Sequence, residues 1–581
     1  MNFIENTLSS LLGFFLAIFL LFVVLLGVGG VVASNDKLEL DDNSVLKIVL
    51  NTELKDFTGT ELDPLAQVFG TADDKVGLDD IIAALEKASA DPKIKGISLE
   101  LQNVSSGISQ LATLRSAIAK FKESGKFVTA YANTYSQKNY YLTSVADSIY
   151  LNPVGDVALN GLSAEVLFYK DFQDKFGVKM EVIRHGKYKS AVEPYLSNTM
   201  SPANRMQMES LIHSLWKTMV SDISKSRDIT VAQLNTIADS AFGRTAELSK
   251  EHKLVDALVY KDVYENKLKT QLGTESLESI SLMDYMKLDV ALPAFESKNQ
   301  VAIVYAQGTI VDGKGGKESI GPGLFVEEIN NARLDETIKA VVLRINSPGG
   351  SAMASEAIWR ALELLKKEKP LVVSMGDYAA SGGYYIASNA ATIYAEPSTV
   401  TGSIGVFGMF PNVSELSERI GIHAETVATN KAPSYSPFLP IDPSYYELSK
   451  EGVDRVYTTF LKRVSDGRKM TVDEVHALAQ GRVWTGEQAL ENGLVDTLGS
   501  LNMAVKHAAK MAELEEYEIL KLPNYEQDLM ASFGELPFMS LKGKLLEELV
   551  GEEHFVLFNR LKDLKNNTGI QMSLPAVIDI K

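Results

Sequence analysis

Residues 370–390, PLVVSMGDYAASGGYYIASNA, decide how this chain is read. The apolar, β-branched run PLVVSMG has the pattern of a buried strand. A cluster of small residues follows with Ser381 at its centre, and SGGYYIASNA then carries a helical pattern. Glycine has no Cβ, so such a turn lets a ligand or another backbone come close. The same order recurs upstream. VAIVYAQ reads as a strand and FVEEINNAR as a helix; IKAVVLRIN is again a strand, followed by SPGG (347–350) and the long helix SAMASEAIWRALELLKK. Strands alternating with helices imply right-handed crossovers and a mostly parallel sheet, an α/β fold. Active sites in such folds form where loops leave the carboxyl ends of strands. Both SPGG and AASGG lie there.

The pattern occurs twice. NYYLTSVADSIYLNP (139–153) resembles GYYIASNAATIYAEP (383–397), and DPKIKGISLEL (91–101) resembles DETIKAVVLRI (335–345). Pro153 to Pro397 and Leu101 to Ile345 share one spacing of 244 residues. KIVL near Ile48 matches AIVY near Ile303 at a slightly larger spacing. Two homologous domains, 45–290 and 298–515, are expected, with a tail over 516–581. Their losses are complementary. Ser347-Pro348-Gly349-Gly350 faces Asn103-Val104-Ser105-Ser106, and Ser381 faces Gln137, so the first copy lacks the serine and both glycine pairs. Conversely, EVIRHGKYKS (181–190) faces ETVATNKAPS (425–434), which sets Lys189 against Pro433.

These losses suggest nucleophilic chemistry shared between the copies. The amides of Gly350 and Gly382 are candidates to bind a developing oxyanion, with the positive end of the helix after Ser381 assisting. Alone, AASGG favours a close-packed turn with an N-cap serine. Two glycine pairs on adjacent loops, both erased in the sister copy, favour the oxyanion reading. A serine nucleophile needs a base. None of the seven histidines, His185, His213, His252, His423, His476, His507 and His554, sits in a motif tied to Ser381. A neutral lysine serves if burial without a carboxylate partner lowers its pKa by about 3 units, at a cost of roughly 4 kcal/mol. Lys187 and Lys189 both qualify.

The remaining features are bounded more simply. The chain has 581 residues, 45% hydrophobic and 23% charged, enough for two or more domains. A net charge of −18 without a basic patch argues against nucleic acid. Zero cysteines exclude disulfides, thiolate metal sites and cysteine nucleophiles. Residues 11–33 form 23 uncharged positions, roughly 35 Å as a helix against a hydrocarbon core of about 30 Å. Met1–Ser10 contains Glu5 and no Lys or Arg, unlike a cleaved signal peptide, so residues 1–35 read as a transmembrane anchor. Ser201 and Pro202 read as a helix start, 431–450 as a Pro-rich surface loop entering another helix, and the tail as amphipathic helix.

INSPGGS, GDYAASGGYYIA, TGSIGVFG and GKYKSAVEPY together resemble the signal peptide peptidase A (protease IV) family in its long, tandem-domain form. The resemblance implies two crotonase/Clp-protease-like βα-repeat domains behind a membrane helix. It implies a Ser/Lys dyad with Ser381 as nucleophile, Lys189 as general base and Ser403 orienting the lysine. It further implies no cofactor or metal, peptide substrates left over from signal peptide processing, and a homo-oligomer, tetrameric in the long form. The expected location is the bacterial inner membrane, single-pass, with the body on the periplasmic side. Two rivals share some of these features: a crotonase-like acyl-CoA enzyme, which would use carboxylates, and a non-catalytic membrane scaffold.

Overall fold

A computed structural model describes residues 40–51, 54–59, 77–102, 104–288, 297–525 and 569–574, besides positions 13, 14 and 16. The expected anchor over 1–35 otherwise lies outside the described residues. Among the described residues no helix is long and apolar enough to cross a membrane.

The alternation of strand and helix produces two sheets, the first parallel and the second parallel except for its edge strand Val483–Thr485, which runs antiparallel to Val400–Gly402. The first orders its strands Ala257–Leu258, Ser148–Leu151, Phe127–Ala132, Ile94–Leu99, Ser44–Ile48 and Ser279–Ser281. The second runs Val483–Thr485, Val400–Gly402, Leu371–Ala380, Ile338–Ser347, Gln300–Gln307 and Glu518–Leu522, with Thr392–Ala395 also on the long serine-bearing strand. Strands that begin at Ile94, Phe127 and Ser148 begin again at Ile338, Leu371 and Thr392, at the spacing found in the sequence. Helices Pro202–Arg227 and Pro443–Arg468 each run 26 residues in corresponding places. The first begins as expected, with Ser201 Oγ accepting from the Asn204 amide at 3.2 Å. Residues 423–432 are exposed and, with 433–442, carry no helix or strand; the helix Pro443–Arg468 follows.

In each copy the last strand returns to pair in parallel with the first: Ser279–Ser281 on Ser44–Ile48, and Glu518–Leu522 on Gln300–Gln307. The second sheet therefore runs past the limit expected at residue 515. The expectation stopped where the helical pattern of Leu501–Met511 ends and missed the short strand that closes the edge. The described parts of the tail are likewise strands, Glu518–Leu522 and Gly569–Ser573, while its amphipathic stretch lies outside the described residues.

The two sheets are clamped together by polar groups from both copies. Asp377, four residues before Ser381, accepts from the Gln110 amide at 3.0 Å and so caps the helix Ile108–Lys122 of the other copy. A Cβ on Gly107 would stand 2.0 Å from the Asp377 carboxyl carbon, so only glycine admits this approach. Arg344 and Asp56, each 3% exposed, pair at 2.9 Å, and Gln110 Nε2 donates to Asp56 at 3.0 Å. Ser109 and Ser398 hydroxyls meet at 2.9 Å. The apolar core of the first copy also takes in Ala380, Val400 and Val483 of the second.

Removing one member of a buried ion pair strands the other, at a cost of about 3–5 kcal/mol. Arg344→Ala is expected to lower unfolding stability by that amount in denaturant titration, with Asp56→Ala similar.

Candidate active site

A third, mixed sheet lies where the copies meet, ordered Ser319–Ile320, Thr309–Ile310, Gly349–Ser351, Gly569–Ser573, Val406–Asn412, Lys179–His185. Its last two strands come from different copies and pair antiparallel, Val406 against His185. This pairing carries the lysine loop to the serine.

Ser381 joins the strand Leu371–Ala380 to the helix Gly382–Ala387 with φ 55° and ψ −114°. A residue with a Cβ held there stores roughly 1–3 kcal/mol of strain. Its amide donates to the Gly402 carbonyl at 2.8 Å, and its carbonyl accepts from the Tyr385 amide at 2.8 Å, which hold the turn. Lys189 Nζ lies 2.8 Å from Ser381 Oγ. It also lies 2.9 Å from Ser403 Oγ and 3.1 Å from the Ser403 carbonyl. Lys189, Ser381 and Ser403 are each 0% exposed. A neutral amine has two N–H groups and one lone pair. Ser403 offers acceptors for both N–H groups, and the lone pair is left for the Ser381 hydroxyl. Burial pushes the Lys189 ammonium well below the usual lysine range, and no carboxylate opposes it.

Of the two lysines open from the sequence, the structure brings only Lys189 to the serine. Lys187 is exposed, its Nζ 5.0 Å from the Tyr188 ring centre. The described histidines pair elsewhere or are exposed: His185 with Asp454, His213 with the Glu209 carbonyl, His476 with Tyr457, His507 with Tyr394. His252 stacks on Phe242, and His423 is exposed. His554 lies outside the described residues.

Gly350 and Gly382 border one small space. A Cβ on Gly382 would stand 3.2 Å from the Gly350 nitrogen and 2.7 Å from Ser355 Oγ; one on Gly350 would collide with the Ile310 carbonyl at 1.9 Å. Gly349 has φ +96°, a conformation that favours glycine. The Ser347 hydroxyl accepts from the Gly349 amide at 3.2 Å and shapes the turn. The Gly350 nitrogen thus lies close to Gly382, at the turn that carries Ser381.

Several positioning residues have no signal in the sequence. Gly481, at φ +84°, abuts the lysine backbone: a Cβ there would stand 2.5–2.6 Å from Lys189 N, Cα and Cβ. Gly405 lies 3.3 Å, on the same measure, from Lys189 Cδ. The Tyr188 amide donates to the Gln480 carbonyl at 2.9 Å. Gln207, on the helix Pro202–Arg227, donates to the Tyr188 carbonyl at 3.0 Å and Ser190 Oγ at 2.9 Å. These contacts join residues far apart in the chain, so no local motif announces them.

A buried serine beside a buried amine, at a turn between two glycine pairs, is a layout that suits acyl transfer. The family model for peptidase family S49 matches the chain twice, over residues 120–275 and 363–515. Protease 4 of Salmonella typhi is 38% identical over 88% of this chain and 85% of its own. Protease 4 of Haemophilus influenzae is 38% identical over 75% of this chain and 73% of its own. The chloroplastic serine protease SPPA of Arabidopsis thaliana is 34% identical over 74% and 64%. The chain belongs to peptidase family S49 and is a serine peptidase of the protease 4 type. It therefore acts on peptides, which removes the acyl-CoA enzyme and the inert scaffold as readings.

Gly481→Ala is expected to push the lysine loop away and cut peptide hydrolysis about 100-fold, the scale of a roughly 1 Å misplacement. Lys189→Met tests the buried amine separately. The unfolded lysine binds a proton up to its ordinary pKa, while the folded one has released it at lower pH. Between those two values wild-type stability rises with pH by about 1.4 kcal/mol per unit. Lys189→Met lacks this term, so its stability advantage over wild type at neutral pH should shrink as pH climbs toward 10. An advantage that is constant with pH would mean the amine is charged in the fold.

Proposed function

We propose that the chain is a membrane-anchored endopeptidase that degrades signal peptides after their release, using a Ser381–Lys189 dyad. The observation that carries the dyad is the 2.8 Å contact between a fully buried amine and the Ser381 hydroxyl, with no carboxylate to hold the amine cationic. Lys189 takes the proton as Ser381 Oγ attacks a peptide carbonyl. The Gly350 and Gly382 amides receive the negative oxygen. Lys189 then protonates the leaving amine and afterwards activates water against the acyl-enzyme. Ser403 holds the amine in line through its hydroxyl and carbonyl.

The duplicated sequence supports two catalytic units, 45–290 and 298–515, the second carried on to 522 by the paired strand Glu518–Leu522, each supplying one half of the dyad. The uncharged stretch 11–33 supports a single anchor, and the resemblance of the motifs to the signal peptide peptidase A family is what supports a homo-oligomer, a tetramer in this reading, with its body on the periplasmic side of a bacterial inner membrane. Remnant signal peptides suit such a placement, because their apolar cores remain in the membrane.

Ser381→Ala and Lys189→Ala are expected to abolish peptide hydrolysis while leaving the fold intact, and Lys187→Ala to leave activity unchanged. An organophosphorus probe should modify Ser381 in the wild type only. Below the depressed lysine pKa the amine is protonated, so kcat/KM should fall tenfold per pH unit there and level off above it. A Lys187 dependence would move the base, and modification at another serine would move the nucleophile.

A further inference from the structure

Gly569–Ser573 is the one strand of the mixed sheet that belongs to neither βα repeat. It lies between Gly349–Ser351 and Val406–Asn412, antiparallel to both. On one side Gly349 faces Ser573, Gly350 faces Met572 and Ser351 faces Gln571; on the other Phe407 faces Gln571 and Gly408 faces Ile570. The Leu574 amide donates to the Pro348 carbonyl at 2.8 Å and extends the ladder past the glycine turn. Without this segment the flanking strands would present two open edges across a gap one strand wide. Such a gap accepts an extended peptide and little else, since main-chain hydrogen bonds on both sides require a β conformation.

The register matters because Gly350 is a candidate oxyanion donor. A Cβ on Gly349 would stand 2.1 Å from the Met572 carbonyl oxygen and 2.7 Å from the Gly382 nitrogen. The Met572 carbonyl thus borders the same small space as the amides that would receive an oxyanion, beside Ser381. The Met572 side chain is 0% exposed and belongs to the apolar core of the serine-bearing copy. Leu574, 8% exposed, belongs to the apolar core of the other copy, with Ala380, Val400 and Val483. The segment therefore makes the contacts of a bound substrate: a main-chain ladder on two sides, an apolar side chain in a closed site, and a carbonyl at the oxyanion amides.

We propose that residues 569–574 are an intrinsic ligand of the peptide cleft, lying as a substrate lies with Met572 in the place of the residue whose carbonyl is attacked. The resting enzyme is occluded by its own carboxyl-terminal segment, and a substrate must displace it. The cleft accordingly prefers an extended peptide with an unbranched apolar side chain at the Met572 position. This rests on the Ser381–Lys189 reading for its catalytic consequence but not for its binding site.

The test uses the full chain with Met572→Asp, which places a carboxylate where an apolar side chain is buried, and Met572→Leu, which keeps an apolar one. If occlusion leaves about a tenth of the clefts open, Met572→Asp should react with an organophosphorus probe and cleave a short apolar peptide about tenfold faster than wild type, while Met572→Leu stays near wild type. The synthetic hexapeptide GIQMSL should inhibit Met572→Asp competitively, and GIQDSL should not. Equal rates for wild type and Met572→Asp would overturn the occlusion. A second readout needs no catalysis: in Ser381→Ala protein, amide hydrogen exchange over 569–574 should be slow, and adding Met572→Asp should make it fast. Fast exchange in both would overturn the binding site itself. Slow exchange that is lost on dilution would overturn the intramolecular occupant in favour of a second copy. Slow, dilution-independent exchange alongside no labelling of Ser381 in any variant would uphold the bound segment and sink the dyad instead.

Discussion

A primary amine with no counter-charge, buried beside a hydroxyl, sets the terms for the rest of this molecule. Lys189 Nζ makes its three contacts with Ser381 and Ser403 and is fully enclosed. Desolvation alone lowers its pKa. That requires walls on every side, and one βα unit cannot supply them at its open loop face. The second copy supplies them: Gly405 and Gly481 come up against the lysine, and Ser403 caps its amine. The site is therefore a property of the contact between the copies, which is why the buried Asp56–Arg344 pair and the Asp377 cap matter to the chemistry although none touches the reacting atoms.

The duplication gives a physical account of the division of labour. In the proposed dyad, one serine and one lysine suffice once the two copies pack together with both glycine loops at the junction. A second lysine at Pro433 would have no serine opposite, because Gln137 stands where that serine would be. Gln137 has taken other work: its side-chain oxygen accepts from the amides of Asn160 and Gly161 at 3.1 and 3.0 Å and ties down a loop of the first copy. The inactive loop has become scaffold. The strained backbone retained at Ser381 suits a nucleophile that must stand clear of its strand.

The mixed sheet links this centre to what it binds. Its strands Gly349–Ser351 and Val406–Asn412 stand on either side of the segment Gly569–Ser573, and the strand Lys179–His185 carrying the lysine loop continues the same sheet. The proposed peptide cleft and the loop of the buried amine thus share one sheet. In the proposed binding mode, the register that pairs Gly350 with Met572 would set a peptide carbonyl beside the glycine turn.

The α/β class, the two copies, the glycine pairs and the single serine at a strand-to-helix turn were legible in the sequence, because each depends on local periodicity or on residues a few positions apart. So was the complementary loss that sets the lysine loop of one copy against the serine of the other. Lys187 and Lys189 were indistinguishable by local pattern, since they sit two residues apart in one loop; their burial is set by Gly405, Gly481 and Gln207, which are remote in sequence. The closing strand Glu518–Leu522 and the paired segment Gly569–Ser573 were equally hidden, because five residues can read as strand or helix until an open edge accepts them. Local spacing alone determined which chemistry was available, while the packing of the two copies decided which amine is kept from water, because desolvation sums over every neighbour and a pKa belongs to a place in the fold.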